Sequence, residues 1–247
     1  MKYQPHILIT GATDGIGLAL ARRYAQRGAR VLLVGRRHPR DLDPTLFTPV
    51  NYCRADLAQS DALDRIGAFL RTEQVEHLDL VIHNAGIGSY GSPEQATPED
   101  VATLLTVNLG VPLALTHELF PLIERVRGRV VFISSVVADL PAPRYAQYAA
   151  SKAALDGLAR ALRVEWAGRV GVQIIHPGAT RTGMHRKTGI PSDAMNWQRF
   201  PSAERTAAAI VQAIDHGRPE TTIGLGNRLL RWAGRNLRGL VDQLVRP

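Results

Sequence analysis

The chain has 247 residues, 45% of them hydrophobic, and a formal charge of +8 from 30 basic against 22 acidic side chains. That length and composition fit one large α/β domain, residues 1–247, and exclude a low-complexity or fibrous protein. The single cysteine, Cys53, excludes an intramolecular disulfide and a cysteine-held metal cluster, so no metal site is expected. Lone cysteine usage also fits a reducing compartment, and Met1–Pro5 lack the start of a signal peptide. No later stretch approaches the ~20 apolar residues of a membrane span, so a soluble cytoplasmic protein is expected. Arginine carries nearly all the positive charge, the only lysines being Lys2, Lys152 and Lys187. Such a charge suits phosphates, acidic membranes or nucleic acid, and a compositional bias of the source would explain it as well. With no zinc finger, aromatic–glycine RNA motif or isolated basic arm in the chain, no nucleic-acid partner is expected.

Taken in order, short apolar runs alternate with helical periodicity. Strands are expected at His6–Thr10, Val31–Val34, Asn51–Ala55, Leu80–His83, Val130–Ser134, Val172–His176 and Thr221–Gly224. Helices are expected at Leu18–Arg27, Ala62–Leu70, a long stretch from Pro98 to Glu124, Tyr148–Trp166 and Ala203–His216. Strands apolar throughout, alternating with helices, imply a parallel sheet buried on both faces. The fold class is α/β, a Rossmann-type doubly wound parallel sheet with its ligand at the carboxyl ends of the strands.

The first strand runs into Thr10-Gly11-Ala12-Thr13-Asp14-Gly15-Ile16-Gly17 and then a helix. Glycines there allow a tight turn and let a pyrophosphate approach backbone N–H groups. At the tip of the second strand, where an NAD site usually carries an acid, stand Arg36 and Arg37. A guanidinium suits a 2′-phosphate, so NADP(H) is the expected cofactor and NAD(H) the lesser one; the alternative for both arginines is a solvated charge run. Asp56, before Leu57, either accepts from adenine or caps a helix beginning near Ser60. Asn84, Ala85 and Gly86 suit adenosine contact and structural pairing of strands equally. His83 reads as a satisfied strand-end histidine.

The segment from Ser134 to Lys152 carries the chemistry. The apolar strand Val130–Ile133 delivers two hydroxyls, Ser134 and Ser135, only one of which can face a site because neighbours on a strand point oppositely. Tyr148 and Lys152, four apart, share a helix face, and the cation should lower a phenol pKa that begins near ~10. A lone Tyr-x-x-x-Lys pair is also what any exposed helix can carry. Tyr145 is a second phenol with no lysine four residues on.

Jointly, Thr10–Gly17, Asp56-Leu57, Asn84-Ala85-Gly86, Asn108, Ser135, Tyr148, Lys152 and Pro177-Gly178 resemble the short-chain dehydrogenase/reductases, from about His6 to about Ile223. The resemblance implies that Tyr148 exchanges the proton with the carbonyl or alcohol oxygen. Lys152 would lower the Tyr148 pKa and bind the nicotinamide ribose, while Ser135, thirteen residues before Tyr148, would polarise the carbonyl. Asn108 would hold a water linking Lys152 to solvent, and the turn Pro177-Gly178-Ala179-Thr180-Arg181-Thr182 would lie beneath the nicotinamide, with Thr182 at the carboxamide. Two departures are His83 in place of the family's usual asparagine and a C-terminus without an Asp-Gly-Gly-type tail. The latter argues against the fatty-acid-synthesis ketoacyl reductases and weakens any carry-over of their tetramer.

Residues 179–202 should cover the site. Within them Met184, Met195, Trp197 and Phe200 either line an apolar pocket for a moderately lipophilic carbonyl or alcohol or anchor the loop. The last helix, 227–245, divides into Leu229, Leu230, Ala233, Leu237, Leu240, Val241 and Leu244 against Arg228, Arg231, Arg235 and Arg238. It is expected to pack on this fold or on a second subunit of a homodimer or homotetramer with its arginines in water, or else to lie on a membrane surface. The expected activity is an NADP(H)-dependent carbonyl–alcohol oxidoreductase acting on a small molecule. The alternatives are a dinucleotide sensor or scaffold without turnover, which has no use for the acid, and an isomerase or dehydratase with tightly held NAD.

Overall fold

In the computed structural model, which describes residues 3–184, 188–190 and 196–246, the strands form one all-parallel sheet. They are β1 His6–Thr10, β2 Arg30–Gly35, β3 Tyr52–Arg54, β4 Leu80–His83, β5 Arg129–Ile133, β6 Gly171–His176 and β7 Glu220–Thr222. Their order is β3-β2-β1-β4-β5-β6-β7, so the direction of winding reverses between β1 and β4. In a sheet of this kind the crevice at that reversal is the ligand site. The α/β, Rossmann-type reading holds, with strand ends within a residue or two of those expected.

The strands are apolar throughout because both faces are covered. Leu8, Leu32, Val81, Val130 and Phe132 face one layer, made by α2 (Ala62–Thr72), α4 (Val111–Glu124) and α5 (Ala146–Glu165). Their neighbours Ile9, Leu33, Ile82, Val131 and Ile175 face the other, made by α1 (Gly15–Gln26) and α6 (Ala203–Asp215). Each fully buried Leu or Ile stabilises the fold by about 1.5–3 kcal/mol relative to exposure, which is what holds the sheet between its helices.

Three elements differ from expectation. The long stretch Pro98–Glu124 is α3 (Pro98–Leu105), a π-helical turn over Thr106–Gly110, and then α4. The extra residue in that turn rotates Asn108 inward, and such turns gather at functional sites. The helix expected near Ser60 begins at Ala62 with Asp61 at its cap, so Asp56 does not cap it; its carboxylate instead accepts from the Ala58 N–H at 3.2 Å.

The C-terminal segment is two helices, α7 (Leu225–Asn236) and α8 (Arg238–Leu244), broken at Leu237. Its leucines do not pack inward as expected: Leu225, Leu229 and Trp232 are exposed, Arg228, Arg235 and Arg238 lie in water as expected, and Arg231 and Gly234 are buried. Among the described residues no helix is long and apolar enough to cross a membrane.

Candidate active site

The glycine turn is tight for reasons of space. A Cβ on Gly17 would fall 2.1 Å from the Gly11 carbonyl oxygen, and one on Gly11, at φ 66°, would fall 2.8 Å from Ala85 Cα. Gly35 is equally close to Thr13, at 2.6 Å. Asp14 caps α1 by accepting the Gly15 N–H at 2.7 Å. The following N–H groups, those of Ile16 and Gly17, have no partner within the helix and face the crevice end of the sheet. This side-chain-free cradle fits a dinucleotide pyrophosphate.

Around it, several expected contacts have a structural duty. The Asn84 amide donates to the carbonyls of Thr10 (3.0 Å) and Gly11 (3.2 Å), and the Thr10 hydroxyl accepts from the Asn84 and Ala85 N–H groups. Asn84 therefore staples β1 to β4, leaving the backbone from Asn84 to Gly86 to line the crevice. Leu57 is buried in the core. The Thr180 hydroxyl, also buried, donates to the Gly178 carbonyl and meets Thr206, which secures the turn from within. Thr182 lies against Gly15, joining that turn to the glycine loop.

Arg36 and Arg37 follow β2 and are exposed. Arg37 donates to the Asp41 carbonyl at 2.6 Å, which commits part of its fork to its own loop. Arg54, at the end of β3 and paired in register with Gly35, bonds the Arg36 carbonyl through its Nε at 3.4 Å. Arg54 thus lies beside the loop that carries Arg36 and Arg37. Arg54 escaped the sequence reading because its proximity depends on the β2–β3 register.

The two hydroxyls of the Ser134–Ser135 pair diverge. Ser134 is buried and donates to Asp156 at 2.5 Å, whereas Ser135 accepts from the Val137 N–H at 3.4 Å and acts on the Tyr148 phenol to lower its pKa. Lys152, 4% exposed, lies with its Nζ 5.8 Å from the Tyr148 ring centroid and donates to the Ile133 carbonyl at 3.0 Å. Asn108, fully buried, accepts from the Ile87 N–H (2.8 Å) and donates to the Ile87 carbonyl (2.9 Å) and to Ser151 (3.0 Å). A Cβ on Gly86 would be 3.3 Å from Asn108 Oδ1 and 3.5 Å from Lys152 Nζ, so all three meet at one point.

Burial sets the protonation. It pushes the Tyr148 phenol up to about 12 against the opposing pull of the Ser135 hydrogen bond. It draws Lys152 down to about 8 against the opposing influence of Asp156. Lys152 turns its ammonium to the Ile133 carbonyl, and burial and the Ser135 contribution are the main influences on the phenol in this geometry. The buried His83 is pushed down to about 3 by desolvation; it hydrogen-bonds Thr116 at 2.6 Å and stacks on Phe132.

Over the site, Tyr145 packs edge-on against Tyr90 at 5.1 Å, and Met184 lies near Gly88. Trp197 and Phe200 hold each other with ring centroids 5.6 Å apart. Met195 lies outside the described residues.

A family model described as short chain dehydrogenase matches residues 5–191. The 11-beta-hydroxysteroid dehydrogenase-like 4A of Arabidopsis thaliana is 30% identical over 244 residues, covering 92% of this chain and 78% of that one. A short-chain dehydrogenase from Sphingobium yanoikuyae, solved in complex with NADPH, superimposes with a TM-score of 0.78 at 27% identity, over 98% of this chain and 96% of that one. At 23% identity, the fold is also that of a Brucella melitensis 3-ketoacyl-(acyl-carrier-protein) reductase complexed with NADH, with a TM-score of 0.77 over 89% and 96% of the two chains. The chain belongs to the short-chain dehydrogenases. It is an oxidoreductase of that family, and solved relatives of its fold hold either NADPH or NADH.

Proposed function

We propose that the protein is an NADP(H)-dependent oxidoreductase that interconverts a ketone or aldehyde with the corresponding alcohol on a moderately lipophilic small molecule. The observation that carries this is the convergence of Ser135, Tyr148, Lys152 and Asn108 beside the Gly11–Gly17 cradle. Gly11, Thr13, Asp14, Gly15, Ile16 and Gly17 would hold the pyrophosphate, with Asp14 acting through its cap. Asp56, the backbone at Asn84, Ala85 and Gly86, and the turn Pro177, Gly178, Thr180 and Thr182 would flank adenosine and nicotinamide. Arg36 and Arg54 would read the 2′-phosphate, with Arg37 holding their loop. The bound nicotinamide supplies the hydride to the carbonyl carbon, or accepts it in reverse.

At the substrate oxygen this chain's own residues act. The Ser135 hydroxyl polarises the C=O bond. As that bond's electron pair moves onto oxygen, Tyr148 donates its proton, and the phenolate left behind regains one through Lys152 and the Asn108 water path. A phenol near 12 stays protonated at neutral pH, which is the form that carbonyl reduction consumes. Holding carbonyl and acid in one geometry removes much of the entropic barrier.

Titration of NADPH and NADH, followed by nicotinamide fluorescence, tests the cofactor assignment. NADPH should bind about tenfold to a hundredfold tighter, the worth of one or two charge-assisted bonds, and Arg36→Ala should erase most of that gap. Equal binding would overturn the assignment. Tyr148→Phe should keep cofactor and lose turnover; full activity would refute the proton role, and a parent protein that binds NADPH but reduces no carbonyl would favour the sensor reading.

The partners proposed are the small-molecule substrate, a second copy in a homodimer or homotetramer, and an anionic bilayer surface. The bilayer reading rests on the outward leucines of the C-terminal helices. Leu225, Leu229 and Trp232 are exposed opposite the buried Arg231 face, with Leu240 and Leu244 continuing the apolar surface and Arg228, Arg238 and Arg246 at its flanks. Arginines beside exposed leucines complement acidic headgroups and would repel the same surface of a second copy.

A further inference from the structure

Helix α7 rests on the active site through Asn227, Arg231 and Gly234. A Cβ on Gly234 would fall 2.0 Å from the Asp139 carbonyl oxygen, and one on Gly178 would fall 2.3 Å from Asn227 Nδ2. The helix backbone therefore abuts the turn that follows Ser135, and its first turn abuts the Pro177–Gly178 turn.

Between these two contacts Arg231, itself 4% exposed, enters a polar cluster that opens to solvent at Glu220 and Arg235. Its Nε donates to Asp139 at 2.8 Å, its Nη1 to Thr222 Oγ1 at 2.8 Å, and its Nη2 to Asp139 as well. The same Nη2 lies 3.4 Å from Asp156 and 3.0 Å from Glu220. Arg235 adds contacts to Asp139 at 3.0 Å and Glu220 at 2.7 Å. Asp156 in turn accepts from Ser134 at 2.5 Å and faces His176 Nε2 at 2.7 Å.

Four members of this cluster, Ser134, Asp139, Asp156 and His176, neighbour a functional segment. Asp139 ends the short helical turn that Ser135 caps, and Ser134 precedes Ser135. Asp156 lies one helical turn beyond Lys152, and His176 directly precedes Pro177. A buried ion cluster is weak evidence for stability, since apolar packing of equal volume usually serves as well or better. This helix has leucines available for such packing and leaves them outside, so the cluster's value lies in the geometry it imposes. The planar fork of arginine offers several donors in fixed directions, which lysine does not.

We propose that Arg231 is a positioning residue for the reaction: through Asp139 and Asp156 it locks the Ser135 turn, the Tyr148–Lys152 helix and the end of β6 into one register. The C-terminal helix is thus a working wall of the active site rather than an appendage. The inference rests on the reading of Tyr148 as proton donor.

The test uses the full chain as Arg231→Lys and Asp139→Asn, with Asn236→Ala as an exposed control on the same helix and Tyr148→Phe as reference. Hydrogen exchange read by mass spectrometry is expected to quicken about tenfold in peptides spanning 134–140 and 176–180, while peptides spanning 7–17 and 30–35 keep the parent rate. With NADPH and phenanthrenequinone as probe, kcat should fall about tenfold to a hundredfold, the usual cost of a small misplacement, with NADPH affinity within twofold of the parent. Because breaking a desolvated pair can compromise folding, Asp139→Asn, which keeps the side chain's shape, decides the matter if Arg231→Lys is recovered poorly. Unchanged exchange at both turns, or exchange quickened evenly through the chain, overturns the proposal. So does a parent-like kcat in Asp139→Asn alongside an inactive Tyr148→Phe. An active Tyr148→Phe would instead overturn the proton assignment on which the inference rests.

Discussion

Lys152 carries a charge without which the fold would be more stable. Its side chain is 4% exposed, and burial lowers its pKa from 10.5 to about 8, with Asp156 opposing. A difference of about 2.5 units, at ~1.36 kcal/mol each, makes the protonated form cost about 3 kcal/mol in the fold at pH 7. Lys152→Met removes that cost and leaves the Ile133 carbonyl without its donor, a loss of about 1–2 kcal/mol. The net gain of about 1–2 kcal/mol corresponds to a rise in Tm of roughly 2–8 °C in a chain of this size. The sign with pH follows from a folded pKa lying below the unfolded one. The penalty is complete below about 8 and fades as pH rises toward 10.5, so the stabilising contribution of the neutral amine is present above that window and lost as pH falls through it. Thermal unfolding by circular dichroism at pH 7 and pH 10 should therefore show the variant ahead at neutral pH and the gap closing in alkali. The variant should have no measurable turnover at either pH. A lower Tm than the parent at pH 7, or an advantage that grows with pH, would refute the desolvation argument.

Asn108→Leu should cost about 1–3 kcal/mol, because the Ile87 N–H and C=O lose their side-chain partner in a partly buried place; thermal unfolding should register a fall in Tm of roughly 2–12 °C. Gly17→Ala places a Cβ 2.1 Å from the Gly11 oxygen, so the turn must open. Its affinity for NADPH, read by nicotinamide fluorescence, should fall at least about tenfold. Sedimentation with vesicles containing acidic phospholipid should carry the protein down at low salt, vesicles of phosphatidylcholine alone should not, and Leu229→Glu with Trp232→Glu should abolish the effect. Light scattering on the same pair of variants separates the two occupants of that face, since a shift from dimer to monomer would assign it to a second copy.

The parts of the molecule legible in the sequence are those in which one physical requirement acts locally. Strands buried on both faces must be apolar at every position, so β1, β4 and β5 stand out as unbroken runs. A strand-to-helix turn that meets a pyrophosphate needs glycine at fixed places, so Gly11, Gly15 and Gly17 declare it. Residues four apart on a helix share a face, which brings Tyr148 toward Lys152 before any coordinates are known. The π-helical turn at Thr106–Gly110 leaves no such trace, because the apolar periodicity runs through it from α3 into α4. The amide of Asn84 suits cofactor and strand alike, and only the partners it finds, the Thr10 and Gly11 carbonyls, decide between them.

Where the sign of an effect depends on distant surroundings, local pattern misleads. An opposite charge on the same helix face argues for a lowered phenol pKa, and desolvation by the whole fold, which the pattern does not carry, acts on Tyr148 in the opposite sense. An amphipathic helix has two faces, and the pattern is silent about which of them meets the protein. Apolar-inward is the default only when the docking surface is apolar. Here that surface carries Asp139, Asp156 and Glu220, delivered from three separate elements, the first of them 92 residues from Arg231. Three carboxylates brought together beneath an active site need a cation, and a C-terminal helix that supplies one must turn its leucines outward. The outward leucines and the acidic cluster around buried Arg231 are therefore one feature. A substitution that removes the acids should allow α7 to roll about its axis and bury its leucines, whereas no change confined to the exposed face should disturb Ser135 or Lys152.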